Sequence, residues 1–276
     1  MCVLGLLKRL KMPRMIYGTA WKKDKTSSLV VESLKTGFRG IDTAGQRAHY
    51  NQAGVGAGIA EWLRSTSASR EDLFLQTKFS PGQHEEEDMP YNPRDSLFDQ
   101  VQESASVSLS ELKTNYIDSY LLHAPLPTIE EIMEVWASFE SLVQQNKVKY
   151  LGISNFYQPH IVQLIYERAT VKPKVIQNRF YSEMGYDKEI REFCSKNDIV
   201  YQSFWTLTAN DHVLYQYDSD SRNNAIRDLY RFVMQEGIVP LNGTTSSEHM
   251  KEDIKLLDAP PLDKESYNRM KQLLYG

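Results

Sequence analysis

Short apolar runs alternate with longer stretches of helical periodicity along the whole chain. The runs at 15–19 (MIYGT), 38–42 (FRGID), 73–79 (LFLQTKF) and 116–122 (YIDSYLL) read as strands. So do those at 148–154 (VKYLGIS), 174–178 (KVIQN), 199–204 (IVYQSF) and 238–241 (IVPL). Between them, apolar positions recur at i, i+3 and i+4, as they do on one face of a helix. SSLVVESLKTG ends on Gly37, GVGAGIAEWLRS covers 54–65, and SLFDQVQESASVSLSEL carries an apolar face of Leu97, Val101, Val107 and Leu112. IEEIMEVWASFESLVQQ, HIVQLIYERA, DKEIREFCSKN, a helix over 225–235, EHMKEDIKLL and an amphipathic stretch over 263–274 follow in turn. The segment 81–95, rich in Glu, Pro and Asp, reads as a long loop, with 85–88 a solvated acidic run.

Eight strand-helix units in sequence demand parallel pairing with crossover helices. The expected fold is α/β, a closed (β/α)8 TIM barrel forming a single domain over 1–276. An open doubly wound sheet is the alternative, but no G-x-G-x-x-G turn follows the first strand. The hydrophobic fraction of 41% is enough for a sizeable core, and a net charge of -4 gives no reason to expect nucleic acid or an anionic membrane as partner. Cys2 and Cys194 make neither a disulfide framework nor a metal quartet and suit a reducing compartment. The apolar run at 3–7 is too short for a secretory segment and is followed, not preceded, by basic residues. We read 1–13 as an amphipathic N-terminal arm packed on the domain, with a targeting role for Arg9 and Arg14 left open. The expectation is a soluble cytoplasmic protein, a monomer or weak homodimer, with no metal.

In such a barrel the chemistry sits where strands end and the following loops begin. Those positions hold Asp42, Lys78 and His123, then Ser154 and Asn155, Gln177 and Asn178, and Phe204 and Trp205. A lone strand-end Asp usually caps a turn and a lone Lys usually meets solvent. Three ionisable residues on successive strand ends converge on one mouth instead. A lysine beside an aspartate stays charged, and a cation near a tyrosine hydroxyl lowers its pKa toward the working range. Such a tyrosine can give its proton to a carbonyl oxygen while a histidine orients that oxygen. Tyr50, eight residues after Asp42, is the tyrosine available. No side chain donates hydride, so this set needs a nicotinamide.

GFRGIDTA, the Tyr50-Asn51 pair, LFLQTKF, YIDSYLLHAP, LGISNF and VIQN, in that order, resemble the aldo-keto reductases over nearly the whole chain. The resemblance implies reduction of an aldehyde or ketone by hydride transfer from C4 of NADPH, with Asp42, Tyr50, Lys78 and His123 as the tetrad. Carried over by position, Ser154, Asn155 and Gln177 would bind the nicotinamide carboxamide, and Phe204 would stack on its ring. Thr19 would lie near the cofactor, while Trp21, His49 and Trp205 would shape the substrate pocket.

Three departures shape the expectation. The loop GQRAHYNQ is two residues longer than the family's, so Tyr50 is the expected acid and His49 its competitor. Leu241 replaces a lysine that meets the 2′-phosphate, and His249 stands near the place of an arginine. Asn242, Gly243, Thr244, Thr245 and Ser246 would then hold the phosphate at a helix N-terminus, with Lys251 and Asp253 nearby. NADPH is favoured, with NADH as the alternative, and a subgroup of fungal-like relatives shares the segment. The C-terminal loop that closes other members' pockets looks shortened, which implies an open mouth. Two other functions stay in view: a Schiff-base lyase using Lys78, and a cofactor-binding regulatory subunit without catalysis.

Overall fold

In the computed structural model, which describes residues 3–82, 89–216 and 222–276, eight parallel strands close into a barrel in sequence order. Cys2 and the acidic run at 85–88 lie outside the described residues. The strands are β1 (Ile16–Gly18), β2 (Gly40–Asp42), β3 (Phe74–Phe79), β4 (Ile117–Leu122), β5 (Val148–Ser154), β6 (Val175–Arg179), β7 (Val200–Phe204) and β8 (Val239–Asn242). Closure is made by β1 pairing β8, with Ile16 opposite Leu241 and Tyr17 opposite Asn242. This is the (β/α)8 barrel that the alternation of periods implies, and the strand limits differ from the apolar runs by one or two residues.

Helix α1 (Val3–Leu10) precedes β1, and α2 (Thr26–Thr36), α3 (Gln52–Arg64), α4 (Leu97–Glu111), α5 (Ile129–Gln144), α6 (Pro159–Arg168) and α7 (Lys188–Lys196) follow β1, β2, β3, β4, β5 and β6. A short α8 (Asp211–Leu214) and α9 (Arg222–Gln235) follow β7, and α10 (Ser247–Lys255) and α11 (Lys264–Tyr275) follow β8. Close approach of α3 to its neighbours needs glycine. A Cβ on Gly56 would lie 2.0 Å from the Glu111 carbonyl oxygen, and one on Gly58 would lie 2.6 Å from that of Ser27.

The face of α4 corrects the sequence reading. Val107 is only half-buried, and the helix buries Val101, Ser104, Ala105 and Ser108. The two serines are tolerated inside because each has a partner: the Tyr120 hydroxyl donates to Ser104 Oγ at 3.3 Å, and Gln52 Nε2 donates to Ser108 Oγ at 3.1 Å.

Alternate residues of each strand point into the barrel, and their chemistry changes with height. Phe74, Val175, Val200 and Val239 form the lowest layer, packed with Leu6, Leu7 and Leu10 of α1, which covers the N-terminal end. Two residues further along, Gln76, Gln177 and Gln202 replace them. One step higher stand Lys78, Arg179 and Phe204. The interior therefore passes from hydrocarbon through an amide layer to a charged mouth at the C-terminal ends. Among the described residues no helix is long and apolar enough to cross a membrane.

Candidate active site

The mouth opens into a cleft of about 680 Å³, lined by residues from every side of the barrel except β3. At its floor Lys78 is buried completely, and its ammonium donates to Asp42 Oδ1 at 2.8 Å, Asp42 Oδ2 at 2.7 Å and Thr43 O at 2.8 Å. Three acceptors around one nitrogen match the three donors of an ammonium and leave no lone pair. Burial pushes Lys78 below the ordinary lysine value, and Asp42 pulls against it. Beneath the pair, Gln76 and Gln177 donate to Asp42 Oδ1 at 2.7 and 3.0 Å and to Gln202 Oε1 at 2.7 and 2.9 Å. The carboxylate is thus held by one cation and two amides.

Tyr50 reaches this pair from the long loop after β2. The loop first prolongs the ladder, with Thr43 N donating to Gln76 O and Gly45 N to Lys78 O. It then turns back on itself, Tyr50 N donating to Gln46 O at 3.0 Å, before Asn51 caps α3 by accepting from Gly54 N at 2.8 Å. The Tyr50 ring centroid lies 5.2 Å from Lys78 Nζ and 5.9 Å from the His123 ring, edge-on. Burial raises the Tyr50 pKa well above the ordinary tyrosine range, and the Asp42 charge raises it further. The expectation that Lys78 would lower it is corrected here. The ammonium is neutralised by the carboxylate in contact with it, so no net cation faces the phenol.

His49 goes elsewhere. Its Nδ1 lies 2.8 Å from Gln46 Oε1, and its ring lies tilted with its centroid 4.0 Å from that of Trp21, whose backbone N–H donates to the His49 carbonyl. Trp21 and Trp205 both have left-handed backbones, φ 63° and 55°, and are 58% and 47% exposed. Backbone held in that region costs about 1–2 kcal/mol per residue. Here it stands two large rings at the rim.

His123 is held below its ordinary pKa, first by burial and then by the Lys78 and His49 charges, so its imidazole is neutral at neutral pH. Its Nδ1 lies 2.6 Å from the Ser80 hydroxyl, and its carbonyl accepts from Asn155 Nδ2 at 2.8 Å. Ser154, Asn155, Gln177 and Phe204 all line the cleft. Both amide protons of Gln177 are used below, so its carbonyl oxygen is what it offers above. Asn178 points outward: its Nδ2 donates to the Phe156 carbonyl at 2.6 Å and its Oδ1 accepts from Phe156 N at 3.0 Å, which pins the segment after Asn155.

On the opposite side, Asn242, Gly243, Thr244, His249 and Asp253 line the cleft beside the start of α10. Asn242 Nδ2 donates to Asp253 Oδ2 at 2.6 Å, and burial raises the Asp253 carboxyl. Three residues singled out from sequence are used differently. The Thr19 hydroxyl is buried and donates to Asp42 O at 2.8 Å, so it supports the floor and does not line the cleft. Thr245 is exposed outside the wall, and Ser246 caps α10 by accepting from His249 N at 3.3 Å.

Sequence reasoning passed over Lys22, Arg179 and Arg227, the cations of the cleft wall. Lys22 is nearly buried, reaches the Gly243 carbonyl, and has its pKa lowered by burial. Arg227 pairs with Glu252 at 3.4 Å. The signal for Arg179 was the period of two: it follows Gln177 on the inward face.

An ammonium-carboxylate pair, a neutral phenol and a neutral imidazole at the mouth of a (β/α)8 barrel, around one cleft, define a barrel oxidoreductase. Residues 14–227 match the family model described as the Aldo/keto reductase family, and the chain belongs to that family of carbonyl-acting, nicotinamide-dependent enzymes. It is similar to the glyoxal reductase of Bacillus subtilis, 27% identical over 85% of this chain and 79% of that protein. The methylglyoxal reductase DkgA of Escherichia coli is 26% identical over 96% of this chain and 90% of its own length. The crystal structure of an aldo/keto reductase from Brucella melitensis superposes with a TM-score of 0.78 at 26% identity, covering 95% of both chains.

Proposed function

We propose that this protein reduces small aldehydes and ketones, reactive dicarbonyls among them, with Tyr50 as general acid. The observation that carries the reading is the joint placement of Tyr50 over Lys78 and beside His123. The named activities of the glyoxal and methylglyoxal reductase relatives support the substrate class.

The cleft suits a dinucleotide. Ser154, Asn155 and Gln177 offer a hydroxyl and two amide carbonyls to a carboxamide, and Phe204 offers a flat face. Lys22 and Arg227 offer positive charge to phosphates, and His249 and the N-terminus of α10 offer N–H groups. NADPH is the favoured cofactor. Glu252, facing Arg227, suits a free ribose hydroxyl, so NADH is accepted as well. A bound reduced nicotinamide supplies the hydride.

Every other step belongs to side chains. His123, neutral, donates from Nε2 to the carbonyl oxygen, its tautomer set by the Ser80 hydroxyl at Nδ1. Tyr50 holds its proton until negative charge grows on that oxygen, then transfers it. Lys78 and Asp42 fix the electrostatics around the phenol. A Schiff-base lyase is disfavoured, because a nucleophilic amine needs the lone pair that three acceptors deny Lys78.

Two outcomes follow. Titration with either nucleotide quenches tryptophan fluorescence through Trp21 and Trp205, with NADPH binding tighter and its advantage shrinking with salt. A carbonyl panel followed at the nicotinamide absorbance then shows turnover; no quenching and no turnover would overturn the reading. Ser80→Ala removes one hydrogen bond, worth about 0.5–1.5 kcal/mol. It should lower kcat roughly 2–10-fold with little change in NADPH affinity, and an unchanged kcat would free His123 of Ser80.

A further inference from the structure

Arg179 ends β6, two residues after Gln177, and its side chain stands on the inward face where it lines the cleft. Its guanidinium lies 4.4 Å from the Trp205 ring centroid and 5.2 Å from that of Tyr181. Its Nε is buried with no hydrogen-bond partner, and among the described residues no carboxylate pairs with it. The other wall cations are engaged, Lys22 by the Gly243 carbonyl and Arg227 by Glu252. A buried N–H without an acceptor is costly, and a planar guanidinium between aromatic faces is a fork shaped for a carboxylate.

The barrel order gives this fork its meaning. With eight strands in sequence, β6 lies across the mouth from β2, whose loop carries Tyr50. Arg179 and the phenol therefore face the same cleft from opposite sides. A molecule with a carbonyl at one end and an anion at the other spans that arrangement. We infer that Arg179 is a specificity-determining residue that receives the carboxylate of an oxo-acid or aldehyde-acid substrate. The inference rests on the carbonyl-reductase reading and narrows its substrate class.

The test compares matched pairs, 4-carboxybenzaldehyde against methyl 4-formylbenzoate and succinate semialdehyde against butanal. The native protein prefers the acid in kcat/KM, and Arg179→Gln lowers the acid-to-neutral ratio roughly 10–100-fold, the range for a charge-assisted hydrogen bond. The loss falls mainly in KM for the acid. Arg179→Lys keeps the charge without the fork and retains part of the preference, which separates lost recognition from disturbed packing. Equal losses for acid and neutral partner, together with weaker NADPH binding, would assign the guanidinium to the cofactor phosphates and overturn the inference. So would a native protein with no preference. Binding of 4-carboxybenzaldehyde is also read directly, as quenching of Trp205 beside the guanidinium. If that binding needs Arg179 but no carbonyl is reduced, the reductase reading fails and the anion site stands.

Discussion

Tyr50→Phe should bind NADPH as the native protein does and reduce carbonyls roughly 10²–10⁴-fold more slowly, the usual contribution of a positioned general acid. Phenylalanine preserves the ring that packs 5.2 Å from the Lys78 ammonium and 5.9 Å from His123, so only the proton is removed. The loss belongs in kcat, because the interaction is made as charge develops on the oxygen. His49→Gln is the control. That ring lies on Trp21 and beside Gln46, so its removal changes KM more than kcat. The pH profile carries an independent sign. Burial and Asp42 both raise the Tyr50 pKa, so the phenol keeps its proton beyond the ordinary value near 10. Reduction should therefore not lose its acid as pH rises through 8 and 9. Native-like turnover in Tyr50→Phe would place the acid elsewhere, and His49 would be the next residue to remove.

Much of this site was open to a reader of the sequence because it depends on period and order. Asp42, Lys78 and His123 fall at the ends of consecutive strands, and any parallel barrel brings such residues to one mouth. Arg179 follows the same rule and was lost for a local reason. The sixth apolar run ends on Asn178, one residue before the strand does. Other features were illegible because their causes lie far apart in the chain. The Tyr50 pKa depends on Asp42 neutralising Lys78, which no spacing reveals. Ser104 and Ser108 look like a solvent face of α4 until Tyr120 and Gln52 arrive from other elements. Thr19 seemed a cofactor contact by position, yet its hydroxyl bonds the Asp42 carbonyl 23 residues away. The longer loop after Asp42 left the acid between Tyr50 and His49, and the turn at Gln46 separates them, one toward Lys78 and one toward Trp21.

Lys78→Met should show two losses with different cures. Removing the cation leaves the Asp42 carboxylate buried with only amide donors, and breaking a buried pair in this way costs about 3–5 kcal/mol. The Thr43 carbonyl also loses its donor. The melting temperature falls, and acidification, which neutralises an orphaned buried carboxylate, narrows the gap from the native protein. The double variant Asp42→Asn, Lys78→Met carries no unpaired charge and should regain most of the stability, since replacing both members of a buried pair is often neutral. Activity should not return with it. The Asp42–Lys78 pair beneath the Tyr50 ring, acting as a fixed dipole, sets the field in which the phenol gives up its proton, so kcat stays low in both variants while KM for the carbonyl moves less. If the double variant recovers kcat together with stability, the pair serves only to hold the floor of the barrel. If stability returns and kcat does not, the same two residues that make the floor expensive to build are what make the phenol an acid.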